Sequence, residues 1–299
     1  MRYEWTSVTG ETKYKESPLR RHLDTRFPNT RPLPNSYREE SGPIQVELGD
    51  VSPRAAGTLG AAYDYSVRFE LDHSYAPIAA ILPAVTDFQS HHQVVLDLID
   101  TARKSHGETE LRACWALALW TEITRIGTRA LDFETPLSRL RDGHQFSHDE
   151  MLSLLPTAVL DPLSRLMDLT QTNLFPYLDH GELTLGPTFS GSTLCTADAD
   201  LISAGLLVDL KTRQGPMNPR TGIRHDQAKG VELDQLLCYA LWDLEDEYGI
   251  NEVGMYAARY GVLHRWQLTD FMSTMAQREV DLAEERSLIR DLLENPPDE

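Results

Sequence analysis

Residues 197–212, ADADLISAGLLVDLKT, decide the fold of this chain and hold its most informative polar side chains. Short alternating apolar segments flank Ala204-Gly205, a dipeptide that favours a tight turn, so the pattern predicts a β-hairpin. The surrounding sequence extends the hairpin into a β-meander and a later strand pair, at 183–187, 193–203, 206–211, 252–259 and 262–268. Amphipathic periodicity predicts helices between and after these strands, at 230–248 and 269–293.

Polar side chains of this hairpin are expected to converge. Asp198 and Asp200 lie two residues apart on the first predicted strand, so both point to the same face. Asp209 and Lys211 have the same spacing on the second strand. The turn between the strands then brings Asp200, Asp209 and Lys211 to one place.

Two carboxylates beside an ammonium group form a chemically useful set. Carboxylate oxygens are hard ligands that suit Mg²⁺ or Mn²⁺, and such a cation lowers the pKa of a bound water and neutralises charge on a transferring phosphoryl group. A lysine can position or deprotonate the attacking water. The alternative is an exposed hairpin with solvated charges, which is the usual explanation of an isolated Asp-x-Lys motif.

The chain before the hairpin is predicted to be helical. Apolar residues recur at intervals of three and four in segments 58–70, 92–105 and 157–171. Segment 108–126 is apolar on most faces and predicts a buried helix, and Ser147 followed by Glu150 has the spacing of a capping box. We therefore expect an α+β fold, in which a helical region at 46–180 packs on a core at 181–299 that ends in an acidic helix.

Residues 1–45 have a different composition. Four prolines lie between Pro28 and Pro43, and no apolar periodicity is evident. This composition predicts an extended or disordered arm. Two uses of such an arm stay open: a simple flexible tail, or a segment that docks on a partner or on nucleic acid.

Charge and composition exclude several classes of protein. The 299 residues carry 46 acidic and 28 basic side chains, a net charge of −18, which disfavours a general nucleic-acid coat because phosphate binding needs a positive surface. The three cysteines are far apart, which disfavours a disulfide framework or a cysteine-rich zinc site. Without a long apolar run or a secretory signal, we expect a cytoplasmic protein with no membrane partner. No nucleotide-binding glycine motif is present, so ATP-driven activity is not expected.

Three short motifs give the chain a family resemblance. Asp200-Leu201-Ile202, Asp209-Leu210-Lys211 and Gln235-Leu236-Leu237-Cys238-Tyr239 follow one another at spacings of nine and twenty-four residues. In this order they resemble the PD-(D/E)XK nuclease superfamily, and specifically its RecB-type branch: the metal-binding Asp at a strand start, the (D/E)xK motif, and QxxxY on the next helix. The resemblance implies an α/β/α nuclease-like core with a mixed β-sheet.

The same resemblance implies a function. It indicates a divalent-metal-dependent nuclease that hydrolyses phosphodiester bonds, with DNA favoured as the substrate, in a setting such as repair or phage defence. The catalytic residues that it implies are Asp200, Asp209, Lys211, Gln235 and Tyr239. Asp200 and Asp209 are the implied ligands of Mg²⁺ or Mn²⁺.

The third metal ligand is left open by the sequence. The RecB-type branch often carries G-[ST]-x-x-H on an upstream helix, and this chain has Gly60-Ala61-Ala62-Tyr63-Asp64 in the matching region. Asp64 would replace the histidine as an oxygen ligand, or it is a surface charge of a helix. His148 is the other candidate for this position.

A basic loop follows the predicted site. Segment 211–229 contains five basic residues and one acid, and its prolines and glycines predict a loop. Its side chains Arg213, Arg220, Arg224 and Lys229 are candidates for nucleic-acid contacts beside the site. The alternative is a solvated surface loop.

Two other functions compete with the nuclease. One is a catalytically silent nuclease-fold protein that acts as a protein-binding or regulatory subunit, which the acidic balance favours; a homo-oligomer is also compatible. The other is an unrelated α+β protein in which the Asp-x-Lys motif is accidental. That case requires Asp200 and Lys211 to lie too far apart to act on one water.

Overall fold

The computed structural model describes residues 3–49, 51–132 and 134–297. The chain divides into two compact units. We call Met1–Gln45 with Asn173–Glu299 the sheet unit and Val46–Thr172 the helical unit. The mixture of helices with a mixed sheet confirms the predicted α+β class.

The helices of both units are numbered in chain order. They are α1 Val8–Glu11, α2 Pro18–Arg26, α3 Pro32–Ser41, α4 Pro53–Leu71, α5 Ile78–Thr86, α6 His92–Lys104, α7 Glu108–Ile126, α8 His148–Ser153, α9 Thr157–Asn173, α10 Gly230–Trp242, α11 Leu268–Ala276 and α12 Leu282–Glu294. Short 3-10 turns occupy Gln89–His91, Gly127–Leu131, Ser138–Asp142, Phe175–Tyr177 and Ser190–Thr193. No helix in the described residues has both the length and the hydropathy to cross a membrane.

One mixed sheet forms the centre of the sheet unit. Its strands are β1 Leu183–Leu185, β2 Leu201–Ser203, β3 Leu206–Lys211, β4 Glu252–Ala257 and β5 Val262–Gln267, in the spatial order β1-β2-β3-β4-β5. All neighbours pair antiparallel except β3 and β4, which are parallel. A parallel pair needs a crossover connection, and α10 lies in this one.

The hairpin between β2 and β3 turns at the predicted dipeptide. Ala204 and Gly205 both have positive φ angles, +46° and +79°, which suit the twist of a two-residue hairpin. A Cβ atom on Gly205 would lie 2.8 Å from both Asn251 Nδ2 and Gly249 O, so glycine is required there. The tight turn fixes the register of the two strands that carry the candidate site.

The predicted first strand of the hairpin is too long. It was expected over 193–203, but β2 begins only at Leu201. The polar segment Ser190–Thr193 forms a 3-10 turn instead, in which the Ser192 hydroxyl donates to Ala197 O. Local side-chain bonds of this kind compete with strand pairing. Asp198 therefore lies outside β2, forms an isolated bridge with Thr188, and is exposed.

The prediction of an extended or disordered arm at 1–45 is wrong. The segment contains α1, α2 and α3, and its apolar residues belong to the core of the sheet unit, with Leu19, Leu23, Phe27, Leu33 and Tyr37 all buried. The prolines start helices rather than prevent them: Pro18 and Pro32 lie in first turns, where a missing N–H costs nothing. The Ser17 hydroxyl caps α2 by accepting from Leu19 N and Arg20 N.

Two helices, α11 and α12, replace the single helix predicted at 269–293. α11 ends before Gln277, whose φ of +56° breaks the helical path, and the Asp281 side chain caps α12 by accepting from Glu284 N. Together with α10 they contribute to the core on one face of the sheet, which includes Ile202, Leu207, Val253 and Met255. This is the face from which Asp209 projects, since Leu207 and Asp209 are two residues apart on β3.

The helical unit is organised around α7. This helix spans the predicted 108–126, is buried along most of its length, and packs against α4, α5 and α6. Both tryptophans of α7, Trp115 and Trp120, are almost fully buried. The predicted capping box is confirmed: Ser147 Oγ accepts from Glu150 N, and Glu150 accepts from Ser147 N, at the start of α8.

Candidate active site

The candidate site lies where the β2–β3 hairpin opens. Leu201 pairs with Val208, so Asp200 lies opposite Asp209, and opposite residues of an antiparallel pair share one face. The Asp200 carboxylate is held in this position by a hydrogen bond of 2.6 Å from Leu210 N to Oδ2. A side chain that comes just before β2 is thereby fixed against β3.

Asp209 and Lys211 form a buried ion pair. Lys211 Nζ lies 2.6 Å from Asp209 Oδ2, and the two side chains are 19% and 6% exposed. Burial raises the pKa of Asp209 to about 6; Lys211 opposes this rise, and the nearby charge of Asp200 adds to it. Burial opposes the charged form of Lys211, but the charges of Asp209 and Asp200 outweigh it and raise the pKa of the lysine. The structure therefore brings Asp200, Asp209 and a charged Lys211 together, as predicted.

A second group of charges lies beside this cluster. Glu232, in the first turn of α10, is close enough to act electrostatically on both Asp209 and Lys211. Its Oε1 lies 3.3 Å from Nη1 of Arg213. Arg213 Nε in turn lies 3.0 Å from Asp226 Oδ1. The acidic cluster is thus connected to an internal guanidinium group.

The position of Arg213 differs from its prediction as a nucleic-acid contact. Its side chain is 17% exposed and is committed to Asp226 and Glu232. Asp226 also accepts a hydrogen bond from Tyr37 of α3. The sequence could not locate Arg213 because its partners lie on separate segments of the chain.

Gln235 and Tyr239 lie one turn apart on α10, beside the carboxylates. Gln235 Nε2 donates to Tyr239 Oη and, at 3.0 Å, to Thr9 Oγ1 of α1. Burial raises the pKa of Tyr239, and the charges of Asp209 and Asp200 add to the rise. Both side chains of the predicted QxxxY pair thus belong to the neighbourhood of the site, and their catalytic roles stay predictions.

The loop at 212–229 is anchored at a glycine. A Cβ atom on Gly215 would lie 1.8 Å from His225 O, so the two sides of the loop meet there. Gly215 N donates to Tyr260 Oη at 2.9 Å, and Gly215 O accepts from Arg224 Nη1 at 3.0 Å. Arg224 is therefore committed to the shape of the loop. Of the four predicted nucleic-acid contacts, only Arg220 and Lys229 are exposed.

A cationic cleft opens beside this loop. It has a volume of about 390 Å³ and is lined by Arg38, Pro216, Met217, Arg220, His225 and Asp226, among others. A second cleft of about 490 Å³ shares Arg38 and His225. Arg38 is exposed on α3, within the segment 1–45 that was predicted to be an extended or disordered arm.

The two candidates for a third metal ligand lie in the helical unit. Asp64 Oδ1 accepts a hydrogen bond of 2.9 Å from Arg68 Nε, one turn later on α4. His148 Nε2 lies 2.8 Å from Thr101 Oγ1 of α6. Each side chain thus has a local partner within its own unit, and a role as metal ligand stays a prediction for both.

Several residues around the site were missed by sequence reasoning. Glu232 follows Lys211 by twenty-one residues and precedes Gln235 by three, so its position in the first turn of α10 is the only local signal. Thr9 and Arg38 carry no signal of their own. They were missed because the segment that contains them was not predicted to fold.

Comparison with known proteins adds no relative to this description. No family model matches the chain, and no match was found among the curated proteins or the solved structures.

Proposed function

We propose that this protein is a metal-dependent nuclease of the PD-(D/E)XK type that hydrolyses phosphodiester bonds, with DNA as the favoured substrate. The observation that carries the proposal is the meeting of Asp200, Asp209 and Lys211 at the open end of one hairpin. The Gln235–Tyr239 pair on the crossover helix α10 supports it, because it lies within electrostatic range of the same carboxylates.

The donor set suits a divalent cation. Asp209 Oδ2 is buried and receives no well-directed hydrogen bond, although Lys211 lies beside it. Buried carboxylate charge is costly unless it is paired or binds a metal. Asp200 and Asp209 would hold Mg²⁺ or Mn²⁺, which both prefer oxygen ligands. When bound, such an ion supplies an acidified water and neutralises charge on the phosphoryl group.

Lys211 would act on the attacking water. Its raised pKa keeps a proton on Nζ, so the ammonium would orient the water and stabilise negative charge as it develops, rather than act as the base. Gln235 is a positioning residue in this scheme. It donates to Tyr239 and Thr9 and thereby fixes the polar side of α10 that faces the carboxylates.

Phosphate contacts would come from the cleft of the sheet unit. Arg220 is exposed at its rim, and Arg38 and His225 line it. The internal Arg213 would support the wall of this cleft through Asp226, which itself lines the cleft. A local cationic surface of this kind can hold one or two phosphates on a chain whose net charge is −18.

A silent nuclease-fold subunit is the second candidate function. The observation that favours it is the internal use of Arg213 and Arg224, which leaves fewer cations for nucleic acid than the sequence suggested. An acidic surface also suits a basic protein partner.

Cleavage of labelled DNA separates the two functions. Linear and circular DNA, single- and double-stranded, would be incubated with Mg²⁺, Mn²⁺ or EDTA and the wild type, Lys211→Met, Asp200→Asn or Lys104→Gln. Asp200→Asn preserves an oxygen for Leu210 N, and Lys104 is an exposed lysine of the helical unit, so these variants control for folding and for charge. We expect metal-dependent cleavage by the wild type and Lys104→Gln, and a loss of about 100-fold or more in the other two. Absent or equal cleavage would favour the silent subunit.

A further inference from the structure

The helical unit contains a second cluster of potential ligands. Glu70 lies at the end of α4, His106 lies in the turn before α7, and Glu110 lies in the first turn of α7. One ligand atom from each side chain lies within 4.8 Å of the other two. The close packing of α4 on α7 brings the three residues together.

Glu110 is the unusual member of this cluster. The residue is 4% exposed, and its Oε1 is buried without a hydrogen-bond partner. In the described part of the chain, no lysine or arginine forms an ion pair with Glu70 or Glu110; the nearest base is His106, whose Nδ1 lies 4.0 Å from Glu70 Oε1. A buried carboxylate beside another carboxylate, with no lysine or arginine paired to either, costs free energy.

We propose that Glu70, His106 and Glu110 bind a divalent transition-metal ion of the Zn²⁺ class. A cation placed among them would supply the missing partner of Glu110 and relieve the repulsion between the two carboxylates. The imidazole selects against Mg²⁺, which prefers oxygen, and favours Zn²⁺ or Co²⁺. The inference does not rest on the proposed nuclease function.

The electrostatics of the cluster agree with this proposal. Burial raises the pKa of Glu110 to about 8, and the neighbouring Glu70 adds to the rise. Without a cation, a proton held between the two carboxyl groups would relieve their repulsion. Proton sharing and metal binding are therefore the two alternatives that an experiment must separate.

The site would join two helices of one unit. Glu70 ends α4, whereas His106 and Glu110 frame the start of α7, so a bound ion would hold the end of one helix against the start of the other. His106 is 76% exposed, which leaves an entry path for the ion and room for a water as fourth ligand. We infer a structural rather than catalytic ion.

Metal binding to the untagged full chain tests the proposal. The protein would be stripped with EDTA, dialysed, and titrated with Zn²⁺ by calorimetry and with Co²⁺ by visible absorption. The variants are Glu110→Gln and His106→Ala, with Glu108→Gln as the matched control, because Glu108 is an exposed carboxylate on the same turn of α7. Thermal unfolding of each variant checks its fold.

We expect one Zn²⁺ equivalent that is weakened about 100-fold by Glu110→Gln and by His106→Ala and left unchanged by Glu108→Gln. The Co²⁺ spectrum should change in step with these affinities. Equal binding by all four proteins, or no binding at the cluster, would overturn the proposal and indicate a shared proton. If Glu110→Gln fails to fold, the exposed His106 still decides the outcome. Because the candidate nuclease site is intact in every variant, a failure here would not affect the nuclease proposal.

Discussion

The two units of this chain each place two carboxylates beside a nitrogen base, but they neutralise the acids differently. In the sheet unit, Lys211 Nζ lies 2.6 Å from Asp209, and burial raises the pKa of that acid only to about 6. In the helical unit, the base nearest to Glu70 is an exposed histidine 4.0 Å away, and the pKa of Glu110 is raised to about 8. A built-in cation, more than burial itself, decides how much an acidic cluster depends on an external ion.

The largest expected effect comes from removing the built-in cation. Lys211→Met leaves Asp209 buried without its partner, and breaking a buried pair in this way costs about 3 kcal/mol of the free energy of unfolding. Glu110→Gln in the metal-free protein should do the opposite, because the amide is neutral without taking up a proton, whereas the acid must bind one to stay buried beside Glu70: a gain of up to about 1 kcal/mol. Urea unfolding at pH 7.5 in EDTA measures both values.

A double variant sharpens this prediction. Asp209→Asn with Lys211→Met removes both charges and should recover most of the stability that Lys211→Met loses. If the double variant is as unstable as the single one, Lys211 acts through packing rather than charge. If Glu110→Gln destabilises the metal-free protein by more than about 1 kcal/mol, the carboxyl of Glu110 has a stabilising partner and the contrast between the two units fails.

The sequence predicted the sheet unit well where the pattern was local. The dipeptide Ala204-Gly205 predicted the hairpin turn. The two-residue spacing of Asp209 and Lys211 predicted that both side chains lie on one face. Helix α7 was predicted at its observed bounds because apolar residues occupy most of its faces.

The rest could not be predicted because it depends on contacts between distant segments. The apolar residues of α2 and α3 become a pattern only once they face a sheet that lies more than 140 residues later. The same holds for Arg213, which meets Tyr37 and Asp226 only in the folded chain. The Glu70–Glu110 cluster has no sequence signal, since forty residues separate its acids.

The loss of stability at acidic pH tests the group of side chains around His264, which includes Asp226 and Arg213. His264 is buried, its ring stacks on that of Tyr37 with 3.7 Å between the centroids, and the Trp266 ring lies 6.3 Å away. Its Nδ1 lies 3.0 Å from Glu40 Oε2, and its Nε2 lies 3.1 Å from Ser41 Oγ. Burial lowers the pKa of His264, and the positive charge of Arg213 lowers it further. The negative charges of Glu40 and Asp226 oppose this shift.

The direction of the pH effect follows from proton binding. In the unfolded chain a histidine takes up its proton near pH 6.5, whereas the folded chain resists protonation of His264. Stability contributed by the neutral ring is therefore complete above that pH and is lost as the pH falls. We expect a loss of about 1 kcal/mol between pH 7.5 and 5.5, reduced in His264→Gln and unchanged in His92→Gln, an exposed control. An equal loss in both variants would place the acid-sensitive group elsewhere.

The smallest expected effect is a change in DNA affinity that shows which unit binds the nucleic acid. Arg220 is exposed at the rim of the sheet-unit cleft, and Lys104 is an exposed cation of the helical unit that pairs with Asp100 at 2.6 Å. A lost phosphate contact weakens binding uniformly across sequences and lowers the slope of log K against log salt by about 1. We expect this change, with affinity about threefold lower and kcat intact, for Arg220→Gln, and no change for Lys104→Gln. Fluorescence anisotropy of labelled DNA from low to physiological salt measures both. A change in Lys104→Gln but not in Arg220→Gln would move the nucleic-acid surface to the helical unit and separate it from the three residues proposed to cut.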